Sequence, residues 1–204
     1  LEMTLENLLK TALLPIGNTM YIYGGGWNEE DTGAGIEAIT IGVSPKWVEF
    51  AIKQDSSYNF KDYNYKQNKD YIHLGLDCSG YIGWLLYNIF QDKGYVDFSR
   101  KIANNLATEN KGKVKKAKYI TEYKAGDIMS GENVSHVWLS LGQCFDGSVV
   151  ILHSSPAGVH ISGTPTPKGI ENSQALKLAN KYMSKYYPVW SKKYPVKPFD
   201  YLGK

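Results

Sequence analysis

The sequence predicts an α+β fold, and the order of its elements carries that prediction. Two segments with helical apolar spacing come early, one from Leu5 to Leu13 and one from Cys78 to Phe90. Short strands separated by turn residues follow them, so helices precede an antiparallel sheet. The chain has 204 residues, a length at which one core is the ordinary arrangement, and we expect a single domain over residues 1–204.

Composition excludes several classes of protein. Apolar residues make up 43% of the chain, which rules out low-complexity disorder, and no stretch approaches the roughly 20 apolar residues of a membrane span. The net charge of +3 is too small to indicate nucleic-acid binding, and two cysteines cannot form a disulfide scaffold. Because the chain opens on Leu1 without a signal-peptide pattern, we expect a mature form or an excised domain whose parent protein has other domains.

Capping and stop residues delimit the predicted helices. Thr4 caps the first helix and Pro15 stops it, and Ser44-Pro45 begins a short second one. The helix from Cys78 buries a continuous apolar face, and Gly94 offers its C-terminal stop. A closing helix runs from about Ser173 to Tyr186.

The predicted strands cover Val134 to Leu141, Ser148 to Ser154, and Val159 to Ser162. The first two form a hairpin if Gly142 pairs with Gly147 across the intervening loop. Residues 28–76 are polar and rich in tyrosine, and they read as a long insertion between the glycine-rich turn after Tyr23 and the helix at Cys78.

Cys78 is the first candidate for chemistry, because it opens an amphipathic helix within Asp77-Cys78-Ser79-Gly80. Free backbone N–H groups at a helix N-terminus favour a thiolate over a thiol. A lone cysteine is more often a buried packing residue, but packing cysteines have apolar neighbours and this one has polar neighbours. The pattern therefore indicates a cysteine nucleophile.

A cysteine nucleophile needs a base, and the predicted hairpin contains two of the four histidines, His136 and His153. Pairing Gly142 with Gly147 places these two histidines directly opposite each other on one face of the hairpin. One imidazole then serves as general base while the other holds it in its productive tautomer. A cross-strand histidine pair without a catalytic role is the alternative reading.

Five segments in order carry a resemblance to a known family. They are Tyr21-Ile22-Tyr23-Gly24-Gly25, Leu76-Asp77-Cys78-Ser79-Gly80-Tyr81, Ala125-Gly126-Asp127, Ser135-His136-Val137 with Leu141-Gly142, and Leu152-His153-Ser154. Together they resemble the NlpC-type (NlpC/p60-like) family of bacterial cell-wall cysteine peptidases, and the Asp-Cys-Ser-Gly and Ser-His-Val segments are the specific ones.

The resemblance implies a papain-like fold, in which the helix bearing the cysteine packs on a small antiparallel sheet. It implies that Cys78 is the nucleophile, His136 the base and His153 the orienting residue. It also implies that the hydroxyl of Tyr21 lines the substrate site, and we expect Asp77 and Ser79 to face the substrate as well. The implied reaction is acyl transfer on peptidoglycan stem peptides, often at the bond between D-γ-glutamate and the diamino acid, through a thioester acyl-enzyme.

The resemblance further implies a cell-wall or extracellular protein with peptidoglycan as its partner and with no cofactor, no metal and no nucleic acid. Two other functions stay open at this point: an N-acetylmuramoyl-L-alanine amidase or other acyl-transfer enzyme using the same triad, and a catalytically silent wall-binding module. The insertion at 28–76 is longer than the family's usual loop, and it reads either as a lid over the cleft or as a packed surface decoration. His160 reads as a surface or rim residue.

Overall fold

In a computed structural model the fold is described for residues 2–26, 40–91, 113–131, 136–156 and 158–186. Its helices are α1 (Leu5–Leu13), α2 (Pro45–Lys53), α3 (Cys78–Phe90) and α4 (Gln174–Met183), and its strands are β1 (Met20–Tyr21), β2 (Gly75–Leu76), β3 (Ile128–Ser130), β4 (Val137–Gln143), β5 (Val149–Ser155) and β6 (Gly158–Gly163). Short 3-10 turns cover Phe60–Tyr63, Lys69–His73 and Ala117–Tyr119. The α+β class is confirmed.

The strands form two sheets. β1 and β2 pair in parallel, with Met20 opposite Gly75, and β3, β4, β5 and β6 form an antiparallel sheet in that order. The parallel pair brings the chain before the glycine turn alongside the chain that leads into Cys78. The fold thus places the segment around Tyr21 beside the start of α3.

Side-chain caps define where the helices begin, as the sequence predicts. Thr4 accepts a hydrogen bond from the Asn7 amide at the start of α1, and Ser44 accepts one from the Lys46 amide at the start of α2. α3 ends earlier than expected, because Gln91 adopts a left-handed conformation (φ 53°) directly after Phe90. The expected stop at Gly94 lies outside the described residues.

α3 is the central helix of the core. Tyr81, Ile82 and Leu85 are fully buried, and they share one apolar cluster with residues of the sheet such as Leu139 and Leu152. The hydroxyl of Tyr81 donates to the Ala12 carbonyl of α1 at 2.6 Å. No helix among the described residues has the length and apolar character needed to cross a bilayer.

The described part of the insertion, residues 40–76, is packed onto the core. The Trp47 ring of α2 meets the Trp84 ring of α3 edge to face, with centroids 5.8 Å apart. The indole of Trp84 donates to the Gly42 carbonyl at 2.9 Å, and the Asn88 amide oxygen accepts from the Gly42 amide at 2.6 Å. These contacts fix the part of the insertion around Gly42 and Trp47 to α3. Whether the insertion acts as a lid or as a surface decoration stays a prediction, and residues 27–39 lie outside the described part.

Candidate active site

Cys78 is the first residue of α3, and Asp77 anchors the backbone around it. One carboxylate oxygen of Asp77 accepts from the Gly80 amide at 2.6 Å, which caps the helix, and the other accepts from the Gly24 amide at 3.1 Å. The Asp77 amide donates to the Gly25 carbonyl at 3.3 Å. The glycine turn and the helix start are thus held together, and the Cys78 thiol is free and only partly buried.

The thiol itself is neutral near pH 7, contrary to the expectation of a preformed thiolate. Burial, with a smaller contribution from the negative charge of Asp77, raises the pKa of Cys78 to about 11. Backbone N–H groups of Val137, Ser79 and Cys78 itself lower the pKa, as expected at a helix N-terminus, but burial outweighs them. A nucleophile at Cys78 therefore needs a base to remove its proton.

His136 and His153 are in direct contact. Nε2 of His136 lies 2.9 Å from Nδ1 of His153, and the two rings meet edge to face with centroids 5.2 Å apart. Burial, with a smaller contribution from the charge of His160, lowers the pKa of His136 to about 4. His153 is fully buried, and burial holds its pKa well below the ordinary value. Both imidazoles are neutral near pH 7.

The contact between these histidines was expected, but the predicted register is wrong. Leu139 pairs with Leu152, which places His153 across from Trp138 rather than from His136. The turn closes between Cys144 and Ser148, not between the two glycines, and a β-bulge lies between Ser140 and Gly142. The resulting shift is two residues, so both histidines stay on one face and meet as diagonal neighbours.

Two contacts join the hairpin to the segment that carries Cys78. The backbone N–H of Val137, the residue after His136, reaches the Cys78 sulfur. The hydroxyl of Ser154, the residue after His153, donates to the Leu76 carbonyl at 2.8 Å inside the protein. The segments after His136 and His153 therefore both touch the chain within two residues of Cys78, and the three candidate catalytic residues of the sequence lie in one region.

His160 and Trp138 belong to the same cluster, and the sequence analysis missed both. His160 is only 2% exposed, so its assignment as a surface or rim residue is wrong. It pairs directly with His153 across β5 and β6, and the Trp138 ring stacks on the His136 ring with centroids 5.4 Å apart. The short connection between the second and third predicted strands was the sequence signal for this contact. With Ser155 opposite Gly158, the same register pairs His153 with His160.

Tyr21 pairs with Leu76, two residues before Cys78. Burial raises the pKa of Tyr21 far above its ordinary value, and the ionised forms of Asp77 and Cys78 would raise it further. Asp77 is 5% exposed and Ser79 is 9% exposed, and the Ser79 hydroxyl donates to the Asp77 carboxylate at 3.3 Å. Asp77 and Ser79 thus bond within the protein, and their contact with a substrate stays a prediction.

The insertion forms a wall beside Tyr21. The Tyr58 hydroxyl donates to the Tyr21 carbonyl, and the Phe60 ring meets the Tyr21 ring edge to face at 5.5 Å. A concavity of about 210 Å³ lies next to this contact. Its lining residues are aromatic, cationic and amide side chains, namely Tyr23, Phe60, Lys61 and Asn64.

The described residues contain no group of three or more His, Cys, Asp or Glu side chains arranged as metal ligands. What the cluster offers is a thiol and neutral imidazoles, which suit proton transfer and nucleophilic attack. No family model, no curated protein and no solved structure matches the chain.

Proposed function

We propose that this chain is a papain-like cysteine peptidase that cleaves amide bonds in the stem peptides of bacterial peptidoglycan. One observation carries the proposal: a thiol at a helix N-terminus lies beside a strand whose histidine bonds a second histidine at 2.9 Å. That order of nucleophile, base and orienting group is the arrangement used for acyl transfer. The segments that resemble NlpC-type peptidases are the ones that carry these residues.

The contact between the two rings supports one arrangement of the protons. His153 contacts Nε2 of His136, so Nδ1 is the nitrogen of His136 that takes a proton from the thiol. For that, Nε2 of His136 carries a hydrogen and donates it to Nδ1 of His153. The neutral thiol and neutral imidazole make this a general-base mechanism rather than a resting ion pair.

The reaction then balances in two steps. Nδ1 of His136 removes the thiol proton as sulfur attacks the carbonyl carbon, and the C–N bond breaks as His136 returns that proton to the leaving amine. A water, deprotonated by His136, attacks the thioester, and the acid leaves as the Cys78 sulfur regains its proton. We expect the backbone N–H of Cys78, at the helix start, to contribute to stabilising the oxyanion, as the resemblance implies.

The concavity beside Tyr21 favours an acidic peptide as substrate. Lys61 supplies a positive charge, and the rings of Tyr23 and Phe60 supply flat apolar walls. The proposed bond lies between D-γ-glutamate and the diamino acid, and a glutamate linked through its γ-carboxyl keeps an α-carboxylate that Lys61 could bind. The protein would then act in the cell wall, outside the cytoplasm.

The test is digestion of purified peptidoglycan, followed by mass spectrometry of the released fragments. Wild type releases a new stem-peptide amine, Cys78→Ala releases none, and Cys144→Ala, which removes the other thiol, cleaves like wild type. Glycan released from uncut stem peptides would replace the peptidase with an amidase. Equal binding by wild type and Cys78→Ala without any cleavage would identify a silent wall-binding module.

A further inference from the structure

We propose that His160 is a positioning residue for the Cys78–His136–His153 set, whose ring braces the ring of His153 in the orientation that accepts a hydrogen bond from His136. The inference rests on the proposed function and adds a fourth residue to it. His160 does not contact the thiol in the mechanism above, and it acts through His153 alone.

The position of His160 is defined by its contacts with His153 and Gly158. It pairs with His153 across β5 and β6, the two ring centroids are 4.4 Å apart, and the planes are tilted by 53°. Its Nδ1 lies 3.0 Å from the Gly158 carbonyl, which can only accept a hydrogen bond, so Nδ1 carries the proton. The tautomer of His160 is thereby set, and its ring is anchored to the β5–β6 turn.

His153 needs such an anchor because the two edges of its ring are not equivalent: one carries Nδ1 and the other carries a carbon at the same position. Only Nδ1 meets His136, and a rotation of the ring about its last side-chain bond would present a carbon there instead. The ring is fully buried, with its centroid 5.2 Å from that of His136 and 4.4 Å from that of His160. Removing the flat surface of His160 leaves space into which His153 can turn.

A purely structural role for His160 is the competing explanation, in which only its bond to the Gly158 carbonyl counts. Two substitutions separate the roles. His160→Phe keeps a flat ring of nearly the same size but has no N–H group. His160→Gln keeps an N–H donor for Gly158 but has no ring. If the ring of His160 supports His153, His160→Phe keeps Cys78 reactive and His160→Gln does not. If only the bond to Gly158 matters, the two variants behave the other way round.

The readout is alkylation of Cys78 by iodoacetamide at neutral pH, measured by mass spectrometry with Cys144 of the same molecule as the internal reference. Under the proposal, His160→Phe keeps the Cys78 rate within about twofold of wild type, and His160→Gln lowers it about tenfold, since misplaced catalytic groups lose rate steeply. The Cys144 rate stays constant in both. If His160→Gln does not fold, His160→Leu replaces it as the ring-free variant.

Several results would overturn the inference. One is slow alkylation of Cys78 in His160→Phe together with a normal rate in His160→Gln. The others are an equal loss of rate in both variants and no loss of rate in either. His136→Ala separates this failure from failure of the proposed function, because alkylation requires no peptidoglycan. If His136→Ala slows the alkylation of Cys78 and His160→Gln does not, only the proposed role of His160 is refuted. If His136→Ala leaves the Cys78 rate unchanged, the proposed base and the bracing residue are both refuted.

Discussion

Acidification should destabilise this protein through its buried histidines, at pH values where carboxylates are still ionised. Burial lowers the pKa of His160 from the ordinary 6.5 to about 4. Between these values the unfolded chain binds a proton that the folded chain excludes, so the free energy of unfolding falls as the pH falls. The contribution is fully present above pH 6.5 and is lost progressively down to about pH 4.

The magnitude follows from the shift. Each pKa unit corresponds to about 1.4 kcal/mol, so lowering the pH from about 7.5 to 5 costs about 2 kcal/mol through His160 alone. His136 has a similarly lowered pKa and adds less, because its ring is partly exposed to solvent. His153 adds to the same trend, with the three contributions coupled by their mutual contact.

Urea unfolding at several pH values between about 5 and 7.5 measures this effect. Above about pH 5, exposed Asp and Glu side chains are ionised in both states and contribute little. The variant His160→Phe lacks one titrating ring, so its unfolding free energy should depend on pH less steeply, by about 2 kcal/mol over the range. A wild-type unfolding free energy that stays constant within about 0.5 kcal/mol would refute the assignment of neutral buried imidazoles.

Four further substitutions test the frame around the site. Ser154→Ala removes a buried hydrogen bond and should lower the unfolding free energy by about 1–3 kcal/mol in urea titrations, with slower Cys78 alkylation. Gly80→Ala places a methyl group against the Gly25 carbonyl, so a loss of ~1–3 kcal/mol or more and a lower melting temperature are expected. Asp77→Asn removes a negative charge beside the thiol, so the pKa of Cys78 should fall below about 11 in the pH dependence of alkylation. Lys61→Gln should raise KM for peptidoglycan fragments up to about fivefold at unchanged kcat, whereas the exposed Lys66→Gln should not.

The fold class and the starts of the helices can be read from the sequence alone. Caps such as Thr4 and Ser44 act within one turn, and the apolar spacing of α3 reports its own buried face, so local information suffices for both. The sequence also identified Cys78, His136 and His153 as residues of interest. Strand alternation kept both histidines on one face even though the register was two residues away from the expected one.

The register of the β4–β5 hairpin, the charge state of the Cys78 thiol and the contact of His160 with His153 all depend on tertiary structure. A hairpin's register depends on where its turn closes and on a bulge, and neither is set by flanking glycines alone. The thiol is neutral because burial, which the local sequence does not report, outweighs the helix N-terminus. The contact of His160 with His153 is created by the pairing of β5 with β6, which local sequence patterns do not report.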